Sequence, residues 1–325
     1  MRLNMDICYN NGIILLLLTL PLSIAALSMS KSKTTNCCDA TKAHLLGKNV
    51  ILTGASSGLG RSLAFQLSQC HINKLVLSGR NIAELEKVKS RCEEIMMSNN
   101  YVNDNEKKCN IEIVPCDLAD EKSVDIFSND AMKLCNDEVD VLILCGGISS
   151  RSSFLETKID VDKLLMQVNF ISGAAIAKRI VPSMVSRKGG NIIWISSVQG
   201  LLGTPFRTSY AASKFAVQGY CEAVRSEVAS SGVRVSCISP GYIRTNLSHG
   251  AIRGDGSKHG QLDETTAKGA DPDLVATQIL DSVMAAKRTD FIVAATISAK
   301  FALILKFFAP SILEKLLVKR FKKAV

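Results

Sequence analysis

A chain of 325 residues with 47% hydrophobic and 21% charged residues has ample material for a folded core, which excludes an intrinsically disordered protein. The net charge is +9, but the stretch from Ser298 to Val325 holds six Lys and one Arg against one Glu and so carries +6 of it. What precedes is nearly balanced, which argues against a nucleic-acid-binding core. The cysteines, eleven in all and without a C-x-x-C pair, indicate neither a disulfide framework nor a metal site.

The first element is the apolar run from Ile13 to Met29, IILLLLTLPLSIAALSM, with no charge between Asp6 and Lys31. A bilayer core takes roughly 20 apolar residues, whereas a cleavable signal has a core of roughly 7 to 15. Residues 1–33 are therefore expected to form an uncleaved signal anchor, with a cleaved signal as the alternative. Lys31 and Lys33 follow the span, while Arg2 is offset by Asp6, so the positive-inside rule puts the main domain on the cytosolic side. Unpaired cysteines fit that compartment.

From Ala43 to Ala294 apolar runs alternate with segments of helical period. The runs are Asn49 to Thr53, Lys74 to Ser78, Ile111 to Cys116, Val139 to Cys145, Asn191 to Ser196, Val233 to Ser239 and Phe291 to Ala294. Seven strands joined by helical crossovers predict a single α/β domain over 43–294, a doubly wound parallel seven-stranded sheet. Cys116, Cys145 and Cys237 lie in these runs and read as small core hydrophobes. The polar stretch from Ser98 to Asn110 reads as an exposed loop.

Directly after the first run comes Thr53-Gly54-Ala55-Ser56-Ser57-Gly58-Leu59-Gly60, leading into a helical pattern. Gly54 permits a tight turn, Gly58 lets the backbone approach a pyrophosphate, and Gly60 allows close packing of helix on strand. The amides at the helix start, with Thr53, Ser56, Ser57 and Leu59, would face the anion. After the second run stands Arg80, where a carboxylate would hold the 2′-hydroxyl of NAD. A guanidinium there suits a 2′-phosphate, so NADP(H) is the expected cofactor. At the third run, Asp117 and Leu118 either close the adenine pocket or, in the case of Asp117, cap the next helix.

Tyr210-Ala211-Ala212-Ser213-Lys214 sits in a helical segment, and residues four apart share one face. An ammonium beside a phenol favours the phenolate and readies it for proton exchange. Thirteen residues before Tyr210, Ser197 closes a strand end, where ligand sites of such sheets lie. Ser196 is the neighbouring alternative.

These residues together resemble the short-chain dehydrogenases/reductases, across essentially all of 43–294. The glycine pattern at Thr53 to Gly60, Ser197, and Y-x-x-x-K at Tyr210 to Lys214 stand in that family's order and spacing. The resemblance implies a Rossmann-type fold with Tyr210 as general acid/base and Ser197 orienting the substrate carbonyl. It assigns Lys214 to the nicotinamide ribose and to support of the tyrosine, and Asn169 to a proton-relay water. Pro240-Gly241-Tyr242-Ile243-Arg244-Thr245 matches the family's P-G-x-x-x-T, which puts Pro240, Gly241, Ile243 and Thr245 at the cofactor. ISSVQG, PFRTSYAASK and ISPGYIRTNLSHGAIRGDGSKHGQLDETTAKG further resemble a membrane-anchored branch of the family. One departure stands out: the family's N-N-A-G is here Leu144-Cys145-Gly146-Gly147, without the side-chain amides that brace the sheet.

The activity so implied is NADP(H)-dependent interconversion of a ketone and a secondary alcohol. The expected substrate is a lipid-like carbonyl or alcohol of steroid, retinoid or acyl/alkyl-glycerone phosphate type, bound by Ser197 and Tyr210. The alternative is a catalytically weak, dinucleotide-sensing or partner-binding protein of the same fold. The loop from Leu247 to Gly269 should cover the pocket. Arg244, Arg253, Lys258 and Lys268 in or beside it either meet a phosphate or are solvated charges.

The tail over 295–325 is basic and amphipathic: Ile312, Leu316, Leu317 and Phe321 recur at helical spacing beside Lys315, Lys319, Arg320, Lys322 and Lys323. It is expected either to lie in a membrane interface or to pack on the domain. Lys322-Lys323-Ala324-Val325 resembles a dilysine retrieval signal, so the expected location is the endoplasmic reticulum membrane, with the peroxisomal membrane as alternative. No metal and no nucleic acid are expected, and a homodimer is among the candidate assemblies.

Overall fold

The computed structural model describes residues 35–98 and 109–324, so the expected anchor and most of the polar loop after Ser98 lie outside the described residues. Seven strands form one parallel sheet in the order β3-β2-β1-β4-β5-β6-β7. They are β1 (Asn49–Thr53), β2 (Lys74–Ser78), β3 (Asn110–Ile113), β4 (Val141–Leu144), β5 (Gly190–Ile195), β6 (Val233–Pro240) and β7 (Asp290–Val293). All seven predicted runs are strands. Their ends differ by a residue or two except at β3, which stops at Ile113. Beyond it the chain stays beside β2 through single hydrogen bonds from Val114 to Leu77 and from Cys116 to Gly79.

The central strands are apolar on both faces because both are covered. Val50 and Leu52 of β1, Leu75 and Leu77 of β2, and Ile143 of β4 pack on one side with Leu63, Leu67, Leu85 and Ile279. Ile51, Val76, Leu142 and Trp194 point the other way, against Phe127, Ile180 and Val217. The helices on the first side are α2 (Gly58–Leu67), α3 (Ile82–Ser98) and α9 (Pro272–Leu280), numbered after a short leading α1 (Asp39–Leu45). Those on the second are α4 (Glu121–Leu134), α6 (Ser172–Ser186) and α7 (Thr208–Val228). Cys237 and Cys116 are buried as expected, whereas Cys145 lies one residue past β4 and is half-buried.

Two positions decide where a ligand goes. The strand order reverses at β1, which pairs with β2 on one side and β4 on the other, so a crevice opens at the carboxyl ends of β1 and β4. Between α5 (Ile159–Met166) and α6 the chain widens into one π-helical turn, Gln167–Ile171, a feature frequent at functional sites. The continuous stretch Ile159–Ser186 is long and apolar enough to cross a bilayer, but half of its apolar window is buried inside the domain. It is a core helix.

After β7 the tail forms two helices, α10 (Ile297–Phe308) and α11 (Pro310–Ala324), following the short α8 (Glu264–Ala267) of the preceding loop. The tail docks on the domain. Lys306 donates to the Leu201 carbonyl at 2.6 Å and lies 4.7 Å from the centre of the Phe215 ring, while Phe321 stacks on Phe206 at 5.2 Å. The docked tail still leaves Ile297, Phe301, Phe307, Phe308, Ile312 and Leu316 exposed.

Candidate active site

The β1 to α2 turn is built for close backbone approach. Gly54 has φ +70°, and a Cβ there would lie 2.7 Å from the Gly146 backbone. A Cβ on Gly60 would run into the Gly54 carbonyl, so helix and strand touch only because both positions are bare. Gly58 also has a positive φ, +53°, and a Cβ there would lie 3.1 Å from the Thr245 methyl. Ser57 sits at the N-cap of α2 without a capping hydrogen bond. Its hydroxyl, that of Ser56 and the free amides of the first turn line a cavity of about 390 Å³.

That cavity gathers nearly every residue singled out in the sequence. Thr53, Gly54, Ser56, Ser57, Gly58, Leu59 and Gly60 form one end, with Arg80, Asp117 and Leu118 beside them. Pro240, Gly241, Ile243 and Thr245 come in from the end of β6, and Ser197, Tyr210 and Lys214 form the other end. Asp117 does not cap the next helix. Its Oδ1 accepts from the Ala119 amide at 3.0 Å, and the cap of α4 is Asp120, which accepts from the Lys122 amide at 3.1 Å.

Tyr210 and Lys214 rise from the first turns of α7, both buried. The Lys214 ammonium lies 5.9 Å from the tyrosine ring centre and donates to the Ile195 carbonyl at 2.9 Å. The two serines at the end of β5 are differently engaged. The Ser196 hydroxyl donates to the Lys214 carbonyl at 3.3 Å and accepts from Gln218 at 3.2 Å, whereas among the described residues Ser197 accepts only from the Gln199 amide, at 3.2 Å. Ser197 thus retains its donor hydrogen.

Asn169 stands behind the wall rather than on it. From the π turn its amide nitrogen donates to the Ile148 carbonyl and to Ser213, both at 2.9 Å, and its oxygen accepts from the Ile148 amide at 2.8 Å. Ile148 lines the cavity, so Asn169 sets that wall's position. The Leu144 to Gly147 segment is braced in a similar way: the Thr53 hydroxyl accepts from the amides of Cys145 at 3.2 Å and Gly146 at 3.3 Å. A threonine on β1 thus holds the backbone of this segment. Cys145 also faces the cavity, where burial pushes its thiol up to about 12 against the opposing effect of Lys214.

The loop charges follow the second of the two readings and lie at the surface rather than on the cavity. Arg244 pairs with Asp271 at 2.7 Å, Lys268 with Glu264 at 2.5 Å, and Arg253 donates to the His259 carbonyl at 3.3 Å. The cations that do line the cavity, besides Arg80 and Lys214, are Arg151 and Arg207. Both pair with Asp263, and His259 lies 3.3 Å from the same carboxylate. Arg151 carries no motif signal, and Arg207 stands within PFRTSYAASK with no role assigned to it there. Among the described residues no group of three or more His, Cys, Asp or Glu is placed to hold a metal.

Residues 48–255 match the short chain dehydrogenase family. The chain is a short-chain dehydrogenase/reductase. This reductase-family chain is 42% identical over 279 residues to the Drosophila melanogaster "Dehydrogenase/reductase SDR family protein 7-like", covering 85% of the chain and 81% of that protein. It is 38% identical over 282 residues to the Bos taurus "Dehydrogenase/reductase SDR family member 7B", covering 87% and 84%. A solved "short chain dehydrogenase/reductase family protein" superposes with a TM-score of 0.60 at 22% identity, covering 77% of this chain and 97% of the other, which shows the shared fold. As a short-chain dehydrogenase/reductase the chain is an oxidoreductase using a nicotinamide dinucleotide on a small-molecule substrate.

Proposed function

We propose that this oxidoreductase interconverts a ketone and a secondary alcohol with NADP(H), acting on a lipid-like carbonyl compound at a membrane. The reading rests on one observation: the glycine cradle, Arg80 and the Ser197, Tyr210 and Lys214 group line one continuous cavity. The cradle's bare glycines and uncapped helix start suit a pyrophosphate. Arg80 at the end of β2 suits a 2′-phosphate.

A reduced nicotinamide held by the glycine cradle and Lys214 would supply the hydride when bound. Ser197 donates its free hydroxyl hydrogen to the carbonyl oxygen, and Tyr210 delivers the proton that makes it an alcohol. Lys214 steadies the phenolate left behind and passes a proton back toward it. The amide hydrogens of Asn169 are both spent, so a relay water there donates to oxygen of that residue. Asn169 is thus a positioning residue. In the oxidative direction the same groups run in reverse.

The membrane reading draws on the span over Ile13 to Met29 and on α10 and α11, whose exposed apolar residues alternate with lysines. We place the catalytic domain in the cytosol at the endoplasmic reticulum. Retention of the chain in membranes after alkaline carbonate extraction, with no glycan on Asn246 of the Asn246-Leu247-Ser248 acceptor sequence, is the expected result; a glycan there would reverse the topology. The test of activity is Tyr210→Phe. It is expected to abolish carbonyl-dependent NADPH oxidation and leave NADPH binding intact, and equal oxidation by both proteins would refute the role.

A further inference from the structure

Arg151 and Arg207 reach the cavity from different elements, one from the loop after β4 and one from the residue before α7. They share a single carboxylate. Asp263 Oδ2 lies 2.6 Å from Arg151 Nη2 and 3.2 Å from Arg207 Nη2, and it also accepts from Arg151 Nε at 2.8 Å. Side-chain exposure is only 13% for Arg151 and 12% for Arg207, so two guanidinium charges sit largely away from water against one negative charge. Such an excess is costly without a further anion.

The donors point the same way. Arg151 commits Nε and Nη2 to Asp263 and Nη1 to Ser149 Oγ and the Ser150 carbonyl. Arg207 makes one hydrogen bond from Nη1, to the Ser150 carbonyl, and one from Nη2, to Asp263. A guanidinium has five N–H groups. Among the described residues, therefore, the Arg207 Nε hydrogen and one hydrogen on each Nη are uncommitted. Arg207 also stands three positions before Tyr210, and both residues line the same cavity.

We propose that Arg151 and Arg207 form an oxyanion seat that selects carbonyl substrates carrying a phosphate or carboxylate close to the reacting carbon. Asp263 holds the two guanidinium groups side by side without neutralising both, and Arg207 presents the planar pair of donors that such a group takes. The neutral steroid and retinoid types are disfavoured accordingly. The inference rests on the reductase reading above, and its test includes an arm that does not need turnover.

The detergent-solubilised full chain, saturated with NADPH, is given 1-hydroxy-2-dodecanone, its phosphate monoester and 2-oxododecanoate. The expected kcat/KM for one acidic compound exceeds that of the neutral ketone by about 30-fold or more, a size appropriate to charged hydrogen bonds. Which acid wins tells phosphate from carboxylate. Arg207→Gln and Arg151→Gln should collapse that ratio, and Arg207→Lys should restore part of it. A wild-type ratio near one, or a ratio that survives both glutamine variants, overturns the seat. Should the chain reduce none of the three, calorimetric titration of the NADPH-loaded protein with the two acids decides. Saturable binding lost in Arg207→Gln supports the seat while the reductase reading fails alone, and no binding overturns the seat.

Discussion

Asn169 and Ile148 are tied by a reciprocal pair of hydrogen bonds, at 2.9 Å from the side-chain nitrogen and 2.8 Å to the side-chain oxygen. One amide side chain thereby satisfies both backbone groups of a residue on the cavity wall. Asn169→Ala leaves them unpaired in a part-buried place, at a cost of up to about 1–3 kcal/mol for each group. A lowered Tm and a kcat reduced by roughly tenfold or more are expected, with NADPH affinity nearly unchanged because the glycine cradle is untouched. Equal losses of cofactor affinity and kcat would mean that the wall is not what Asn169 controls.

Cofactor choice is predicted to turn on Arg80. Arg80→Ala should weaken NADPH binding by roughly 10-fold to 100-fold and leave NADH nearly unaffected, since only the former carries the 2′-phosphate. Fluorescence titration of both coenzymes measures the difference. An unchanged preference would move the determinant to Ser56 or Ser57, or to Arg61, which follows Gly60 in α2.

Gly173 tests the packing beneath the π turn. In an exposed helix Gly to Ala is worth about 1 kcal/mol of added stability. Here a Cβ would lie 2.5 Å from Trp194 Cζ2, and Trp194 is held by Phe170 at 6.3 Å and Tyr220 at 5.6 Å between ring centres. The ring has nowhere to go. Gly173→Ala should therefore cost about 1–3 kcal/mol and lower Tm by several degrees in a thermal melt; a rise in Tm would show that the indole can shift.

Cysteine labelling should follow exposure and ionisation. With its thiol raised to about 12, Cys145 is about one part in ten thousand thiolate at pH 8, even though it lines the cavity. Raising the pH to 9 increases that fraction tenfold and still leaves the thiol almost wholly protonated. Cys38 is the exposed thiol among the described cysteines, so iodoacetamide is expected to modify it first. Rapid modification of Cys145 at pH 7, read by peptide mass spectrometry, would mean that Lys214 outweighs burial.

The strands were readable because each central one is covered on both faces, which writes a continuous apolar run bounded by turn residues. The cradle was readable for a similar reason: Gly54 and Gly60 leave a spacing that backbone contact enforces. Arg151 was not, since its partner Asp263 is 112 residues away and nothing local marks the pairing. Nor did periodicity reveal the widened turn at Gln167–Ile171, because one extra residue in a long apolar helix barely shifts its pattern. Arg244 and Lys268 looked eligible by position, yet nearby carboxylates on the same surface claim both.

The strand order has a bearing on how the chain is made. β2 is laid beside β1, β3 beside β2, then β4 on the opposite edge of β1, and β5, β6 and β7 each beside the one before. A nascent chain emerging amino end first therefore offers every strand after the first an edge already in place, and only β1 holds an edge open while two other strands, β2 and β3, are laid. For a sheet assembled entirely from parallel, long-range pairings, that sequence of arrivals limits the time during which apolar edges are open to other chains.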